Sequence, residues 1–181
     1  MVGVGLLTAI VVVLQLLGGG IRFGIFSISL VLVPIVVGAA LYGWKAGGWL
    51  GLAFGVTVLL NGDAAPFLAV NEVGTIVTVL LKGIGCGIAA GAMYKLFAKH
   101  SFLAVVMAAV VCPIVNTGIF LIGCKLFFYE TISAWGAAAG FENAASYMFL
   151  GLAGVNFLVE LGTNIVLAPV IVRLVKIGKK H

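Results

Sequence analysis

Long stretches of this sequence carry no charged side chain, and this feature constrains the fold more than any other. Residues 23–44, 46–62 and 101–124 contain no Asp, Glu, Lys or Arg. Charged residues make up only 8% of the chain, whereas ordinary soluble domains contain about 25%. Because a soluble domain could not cover its surface with so few charges, the sequence predicts that the chain is solvated by lipid.

The apolar runs predict an all-α integral membrane protein with six transmembrane helices in one compact bundle. Backbone groups in lipid must pair within their own segment, which favours helices, and a span needs about 20 apolar residues. The alternating pattern of a membrane barrel strand is absent. A basic n-region is also absent from the first run, which is therefore predicted to be a membrane helix and not a signal peptide. Within a single domain, 1–181, the predicted spans cover residues 2–17, 26–43, 46–60, 73–94, 101–127 and 145–173.

The distribution of Lys and Arg predicts that both termini lie in the cytoplasm, because cytoplasmic loops carry an excess of positive charge. Six spans divide the basic residues outside the membrane seven to two. The inner side then holds Lys45, Lys95, Lys99, Arg173, Lys176, Lys179 and Lys180. The outer side holds Arg22 and Lys125, together with Asp63, Glu72, Glu130 and Glu142. This topology explains the sequence pI of about 9.3 without any nucleic-acid partner.

Small residues recur at helical spacing in several predicted spans. The pattern is Gly43, Gly47, Gly51 and Gly55 around the third span, Gly83 and Gly87 in the fourth, and Gly5 and Ala9 in the first. Such spacing lets helix backbones approach closely in lipid. Two interpretations remain open for each stripe: packing inside the bundle, or docking of another membrane protein.

Polar side chains inside the predicted spans are the main functional candidates, because ionisable groups are costly in a membrane. Lys82 lies about 14 Å into the fourth span at 1.5 Å per residue. In the sixth span Asn156, Glu160 and Asn164 are four residues apart and share one helix face, and Asn116 adds an amide in the fifth. Either Lys82 and Glu160 pair while the amides bridge helices, or this face lines a pocket for a polar small molecule.

The two longest outer loops are predicted to close such a pocket. The loop "NGDAAPFLAVNEVGT" carries Asn71 and Glu72, and "FFYETISAWGAAAGFENAASY" carries Trp135. Polar groups beside an aromatic ring suit a ring-bearing ligand, although Trp is also common at membrane interfaces. Lys82 would favour an anionic vitamin, whereas Trp135 would favour an aromatic ring. The predicted substrate-binding residues are Asn71, Glu72, Lys82, Asn116, Trp135, Asn156, Glu160 and Asn164.

The sequence does not predict an enzyme, a cofactor or a metal site. It contains no HExxH motif and no Walker motif, and no Ser in the spans has a His at a matching depth. Cys86, Cys112 and Cys124 lie in apolar segments without CxxC spacing, which is typical of cysteines in a core.

Two blocks of the chain resemble a known family. The segment "VPIVVGAALYGWKAGGWLGLAFG" across spans two and three, and the ending "VNFLVELGTNIVLAPVIVRLVK", are similar to the S component of energy-coupling factor (ECF) vitamin transporters. The resemblance covers most of the chain. It is nearest to the broad subgroup that includes riboflavin, pantothenate and cobalamin binders.

This resemblance implies a function and a set of partners. An S component captures a vitamin-like micronutrient at the outer face of a bacterial-type cell membrane and delivers it into the cell. It works with a membrane coupling protein and two cytoplasmic ATPases, and docks through small residues on its first span, here Gly5 and Ala9. The family's ligand contacts carry over to Asn71, Glu72, Trp135, Asn156 and Glu160, with Lys82 as a further candidate.

The resemblance also suggests that the glycine stripes are smooth faces on which the protein tilts against its partner. The alternative functions are a self-sufficient small transporter or channel and, less favoured, a membrane-embedded enzyme.

Overall fold

The structure, a computed structural model, describes residues 2–18, 22–23, 26–27 and 30–178, and most of them are helical. The elements are α1 (Val2–Gly18), β1 (Arg22–Phe23), β2 (Phe26–Ser27), α2 (Leu32–Tyr42), α3 (Trp44–Leu60), α4 (Ala65–Leu68), α5 (Glu72–Leu96), α6 (Ser101–Phe127), α7 (Tyr129–Ala138), α8 (Ala144–Ser146), a π-helix (Tyr147–Gly154) and α9 (Val155–Gly178). The two short strands pair with each other in antiparallel orientation. Lys179, Lys180 and the side chain of Arg22, which contributed to the predicted topology, lie outside the described residues.

Three helical segments of the described chain are long and apolar enough to cross a membrane. They are α5, α6 and the continuous helical segment from Ala144 to Gly178, with 25, 27 and 35 residues. The helices α1, α2 and α3 are apolar but shorter, with at most 17 residues each. The helical membrane architecture therefore agrees with the prediction, and the count of six spans stays a prediction.

The second predicted span differs most from the structure. The prediction began it near residue 26, whereas α2 begins at Leu32 and Phe26–Ser27 form a strand. The sequence "FSISL" alternates apolar and polar side chains, which is the period of a strand and not of a helix. With 11 residues, α2 is about 16 Å long, roughly half the thickness of the hydrocarbon core.

The glycines of α3 pack inside the bundle, against the glycines of α5. Gly47 lies against the backbone of Gly87, and Gly51 lies against the backbone of Gly83. A Cβ atom on any of these four would overlap a backbone carbonyl of the neighbouring helix, so the two backbones meet directly, as small residues allow in membranes. The interpretation of this stripe as a surface for tilting against a partner is therefore wrong. Gly5 differs, since it is exposed and a Cβ there would meet no atom within 4 Å.

Gly43 forms the turn that the sequence "YGWKAGG" predicts. It is the single residue between α2 and α3, and its φ of 87° lies in the region that glycine adopts without strain. Its N–H donates to the Ala39 carbonyl at 3.0 Å, and its own carbonyl accepts from the N–H of Gly47 at 3.1 Å. One residue therefore ends one helix and begins the next.

The short helix α2 lies at the centre of the bundle. It packs against α1, α3, α5, α6 and α9, and Leu32, Ile35 and Val36 on it are completely buried. Because helices surround α2, its sequence is apolar on every face. A second apolar cluster joins the end of α6 to α7 and the π-helix; its buried members are Cys124, Phe128, Ile132, Ala144 and Met148.

The bundle has one basic end and one acidic end. Lys45 is in the first turn of α3 and Lys95 in the last turn of α5, and these turns adjoin because Gly91 packs against Trp44. Glu72 begins α5 at the opposite end. This separation agrees with the predicted grouping of charges. Which end faces the cytoplasm stays a prediction.

Candidate functional site

A cavity of about 260 Å³ lies between α1, α3, α5, α6 and the segment from the π-helix into α9. Asp63, Ala64 and Phe67, from the connection between α3 and α5, line it at the acidic end of the bundle. Lys82 and Glu160 line it deeper along α5 and α9. The cavity therefore extends from the acidic end toward the middle of the bundle.

One face of α5 supplies a row of polar side chains to this cavity. Thr75, Thr78, Val79 and Lys82 all line it, and their spacing of three and four residues places them on a single face of the helix. Lys82 follows Glu72, the first residue of α5, by ten residues, or about 15 Å along the helix axis. The helix thus carries a basic side chain close to the middle of its own length.

Lys82 does not pair with Glu160. Its Nζ lies 5.6 Å from the ring centroid of Phe54 and 5.4 Å from that of Phe120, within the range of cation–π attraction. No carboxylate oxygen of the described residues lies within 4.0 Å of this nitrogen. The interpretation in which Lys82 and Glu160 form a direct pair is therefore not what the structure shows.

Glu160 is instead held by amides. Its side chain is 2% exposed, and its Oε2 and Oε1 accept from Asn116 Nδ2 and Asn156 Nδ2, each at 3.4 Å. Asn164 Nδ2 donates to the Glu160 backbone carbonyl at 2.8 Å. The predicted polar face of the sixth span therefore forms, and α6 joins it through Asn116.

Several buried polar atoms in this region have no hydrogen-bond partner among the described residues. They are Thr78 Oγ1, Asn116 Oδ1, Asn156 Oδ1 and Asn164 Oδ1. Thr78, Asn116 and Asn156 line the cavity, and the first two are only 5% exposed. Leaving a buried acceptor unsatisfied costs about 1–3 kcal/mol, so the cavity is suited to an occupant that supplies donors.

The mouth of the cavity is organised around Asp63. Its Oδ2 accepts from Gln15 Nε2 at 2.7 Å and from Asn61 Nδ2 at 2.8 Å, which ties the end of α1 to the connection after α3. Asp63 belongs to the loop that is predicted from the sequence to close the pocket. Gln15 was missed, although it carries the single amide side chain of α1, which is the signal that could have identified it.

Aromatic side chains form much of the apolar wall. The ring of Phe67 contacts those of Phe120 and Phe128 edge to face, with centroids 5.8 and 5.1 Å apart. Trp135, a predicted ligand contact, packs against Phe67, with the two ring centroids 5.6 Å apart, and does not line the cavity. Its place is behind the wall, where it supports Phe67.

Three further predicted site residues lie away from the cavity lining. Asn71 caps α5, because its Oδ1 accepts from the N–H of Gly74 at 2.9 Å. Glu72 is exposed in the first turn of the same helix. Asn164 is buried one turn beyond Glu160. Of the eight predicted residues, Lys82, Asn116, Asn156 and Glu160 line the cavity.

The π-helix borders the site and was not predicted. Its residues Leu152 and Ala153 line the cavity, and α9 continues from it with Asn156 and Glu160 in the first two turns. Such wide turns are rare and often occur at functional sites. No local sequence signal distinguishes this segment from an ordinary helix.

A second cavity, of about 300 Å³, lies at the basic end, between the turn at Gly43 and the end of α5. Within the described part of the chain, its lining carries one charged side chain, Lys95, among residues such as Ala39, Tyr42 and Trp44. None of the unpartnered buried atoms named above belongs to it. The cavity at the acidic end is therefore the better candidate for a specific small-molecule site.

The fold and the cavity together define a class: a multi-pass helical membrane protein with a small polar cavity between its helices. The chain also matches the family profile described as the substrate-specific component of ECF transporters, over residues 1–172. The protein belongs to this family, as the sequence resemblance predicted, and the family is one of transporter components and not of enzymes. No curated protein and no solved structure matches the chain.

Proposed function

We propose that the protein captures a vitamin-like micronutrient in the cavity at its acidic end and delivers it into the cell as part of an ATP-driven ECF transporter. The observation that carries this proposal is the set of cavity-lining acceptors that have no partner within the described chain. If these side chains served only to pack helices together, burying their unpartnered acceptors would cost free energy without any gain. An occupant with donors removes that cost.

The proposal puts the cavity mouth on the outer side of a bacterial-type cell membrane, with both termini in the cytoplasm. Support comes from the separation of charges between the two ends of the bundle and from the excess of Lys and Arg at the opposite end. In this orientation the substrate enters past Asp63 and Phe67. The bound molecule then meets Lys82, Asn116 and Glu160 at mid-membrane depth.

The proposal further assigns the exposed face of α1 to docking of a membrane coupling protein, which acts with two cytoplasmic ATPases. Gly5 and Ala9 lie on this face, and both are exposed. Leu6, Val13 and Leu17 beside them are more than half exposed as well. A face with small residues at this spacing allows a partner helix to approach closely.

Reconstitution tests the proposal. The purified chain is placed in proteoliposomes with and without the coupling protein and the ATPases, and the molecule that co-purifies with it is identified by mass spectrometry. We expect that the chain alone binds this molecule without transporting it, and that uptake requires the complete complex and ATP. Uptake by the chain alone would contradict the proposal and favour a self-sufficient transporter.

A matched pair of variants links this binding to the cavity. Asn116→Ala removes an amide that lines the cavity, and Asn143→Ala removes one from an exposed loop. We expect the first variant to lose the co-purifying molecule and the second to retain it. Equal retention by both would place binding elsewhere in the protein.

A further inference from the structure

We infer that the occupant of this cavity is a small nitrogen heterocycle without net charge, which donates N–H groups to the Glu160 cluster and accepts a hydrogen bond from Lys82. The inference rests on the proposed function, since it names the chemical class of the captured molecule. It depends on four properties of the cavity. Buried oxygen atoms lack a hydrogen-bond donor, the Lys82 ammonium group lacks an acceptor, the charges of the inner part cancel, and the walls are aromatic.

The Glu160 cluster requires donors. Asn116 and Asn156 use their N–H groups on Glu160, so their Oδ1 atoms remain as acceptors without a partner among the described residues. Each carboxylate oxygen accepts one long bond of 3.4 Å and has a further lone pair. Thr78 Oγ1 on α5 is unpartnered as well. An occupant that brought only acceptors to this cluster could accept from the Thr78 hydroxyl but would leave the amide and carboxylate oxygens unsatisfied.

Lys82 requires an acceptor. Its ammonium group has three N–H donors, and within the described chain its close neighbours are the faces of the Phe54 and Phe120 rings. Ring faces attract a cation but do not replace a full hydrogen bond at this depth. A ring nitrogen or a carbonyl oxygen on the occupant would supply one.

The inner part of the cavity is already balanced in charge. Among the described residues, Lys82 and Glu160 are the charged side chains of this inner part, and together they carry no net charge whether the proton lies on one or on the other. Asp63 lies at the mouth, where Gln15 and Asn61 donate to it. A net charge on the occupant would therefore be uncompensated in a region of low dielectric constant, which is costly.

The walls favour a flat ring of limited size. Phe54, Phe67, Phe120 and Phe128 all line the cavity, and aromatic faces and edges pack well against another ring. A volume of about 260 Å³ is below the roughly 300–1,000 Å³ of pockets for drug-sized ligands. One or two fused rings therefore match the cavity better than an extended cofactor or an aliphatic zwitterion.

Three isosteric pyridines test the role of charge. Nicotinamide is neutral, nicotinate is an anion, and 3-amidinopyridine is a cation, whereas their ring and shape are nearly the same. Binding to the purified full chain is measured by calorimetry after the co-purifying molecule has been removed. We expect nicotinamide to bind about tenfold more tightly than either ion, because either ion would bring one unpaired charge into the cavity or lose one charge-assisted hydrogen bond. Tighter binding of either ion, or no binding of any of the three, would overturn the inference.

Two charge-removing variants provide the second arm. Glu160→Gln leaves Lys82 without its balancing charge and should shift the preference to nicotinate. Lys82→Met leaves Glu160 and should shift it to 3-amidinopyridine. The matched controls Glu130→Gln and Lys125→Met make the same changes at exposed positions and should leave the order unchanged. An unchanged order in both cavity variants would show that these two groups do not set the charge preference and would overturn the inference.

The co-purifying molecule separates failure of the inference from failure of the proposed function. Recovery of a neutral heterocycle supports both. Recovery of a charged or aliphatic molecule that requires Asn116 for binding overturns the inference but leaves capture by the cavity intact. If the chain carries no small molecule and binds none of the three pyridines, both are wrong.

Discussion

Replacement of Gly51 by alanine should destabilise the bundle strongly, because the atoms nearest to this position belong to the backbone of another helix and cannot shift as a side chain can. A Cβ atom there would overlap the carbonyl group of Gly83 and lie 3.2 Å from the backbone nitrogen of Ile84. All of these are backbone atoms of α5, so α3 and α5 must separate. Overpacking typically costs about 1–3 kcal/mol. We expect the upper end of this range, since separation also loosens the neighbouring contact between Gly47 and Gly87.

The measurement is thermal unfolding of the purified protein in detergent. A change of 1 kcal/mol shifts the melting temperature of a chain of this size by about 2–4 °C, so a cost of about 3 kcal/mol predicts a decrease of roughly 6–12 °C. Gly118→Ala is the matched control: it makes the same change inside α6, where a Cβ would meet no atom within 4 Å. There we expect no loss, or a gain of up to about 1 kcal/mol from helix propensity. Equal melting temperatures for the two variants would refute direct contact between the backbones of α3 and α5.

Three further predictions concern single features. Asn71→Ala should lower the free energy of unfolding by about 1 kcal/mol through loss of the α5 cap, while a binding assay shows unchanged affinity for the co-purifying molecule; a large loss of affinity would mean that Asn71 contacts it. Ala9→Leu should preserve binding but abolish ATP-driven uptake in proteoliposomes, because bulk blocks close approach of the partner helix; equal loss of both would indicate that this face packs internally. With the three native cysteines replaced, a membrane-impermeant thiol reagent should label Glu142→Cys but not Lys99→Cys in intact cells, and the reverse pattern would invert the proposed topology.

The sequence by itself determined that lipid surrounds the protein, that the fold is helical, and that basic and acidic residues group at opposite ends. Each follows from composition and from short-range periodicity, which act residue by residue: an apolar run of sufficient length must form a helix in lipid. The spacing of Asn156, Glu160 and Asn164 also defined a polar helix face without any tertiary information. The same local rules placed Gly43 at a turn.

Tertiary structure decided which residues meet. Asn116 and Glu160 are 44 positions apart, and no local pattern specifies that they form a hydrogen bond. Charge alone would have predicted that the Glu160 carboxylate pairs with Lys82. Likewise, the spacing of Gly47 and Gly51 allows close approach of any helix, and only the packing of α3 on α5 decides that the partner lies within the chain. Trp135 supports Phe67 instead of lining the cavity for the same reason: helical periodicity defines a face of a helix, but the position of neighbouring helices decides what that face contacts.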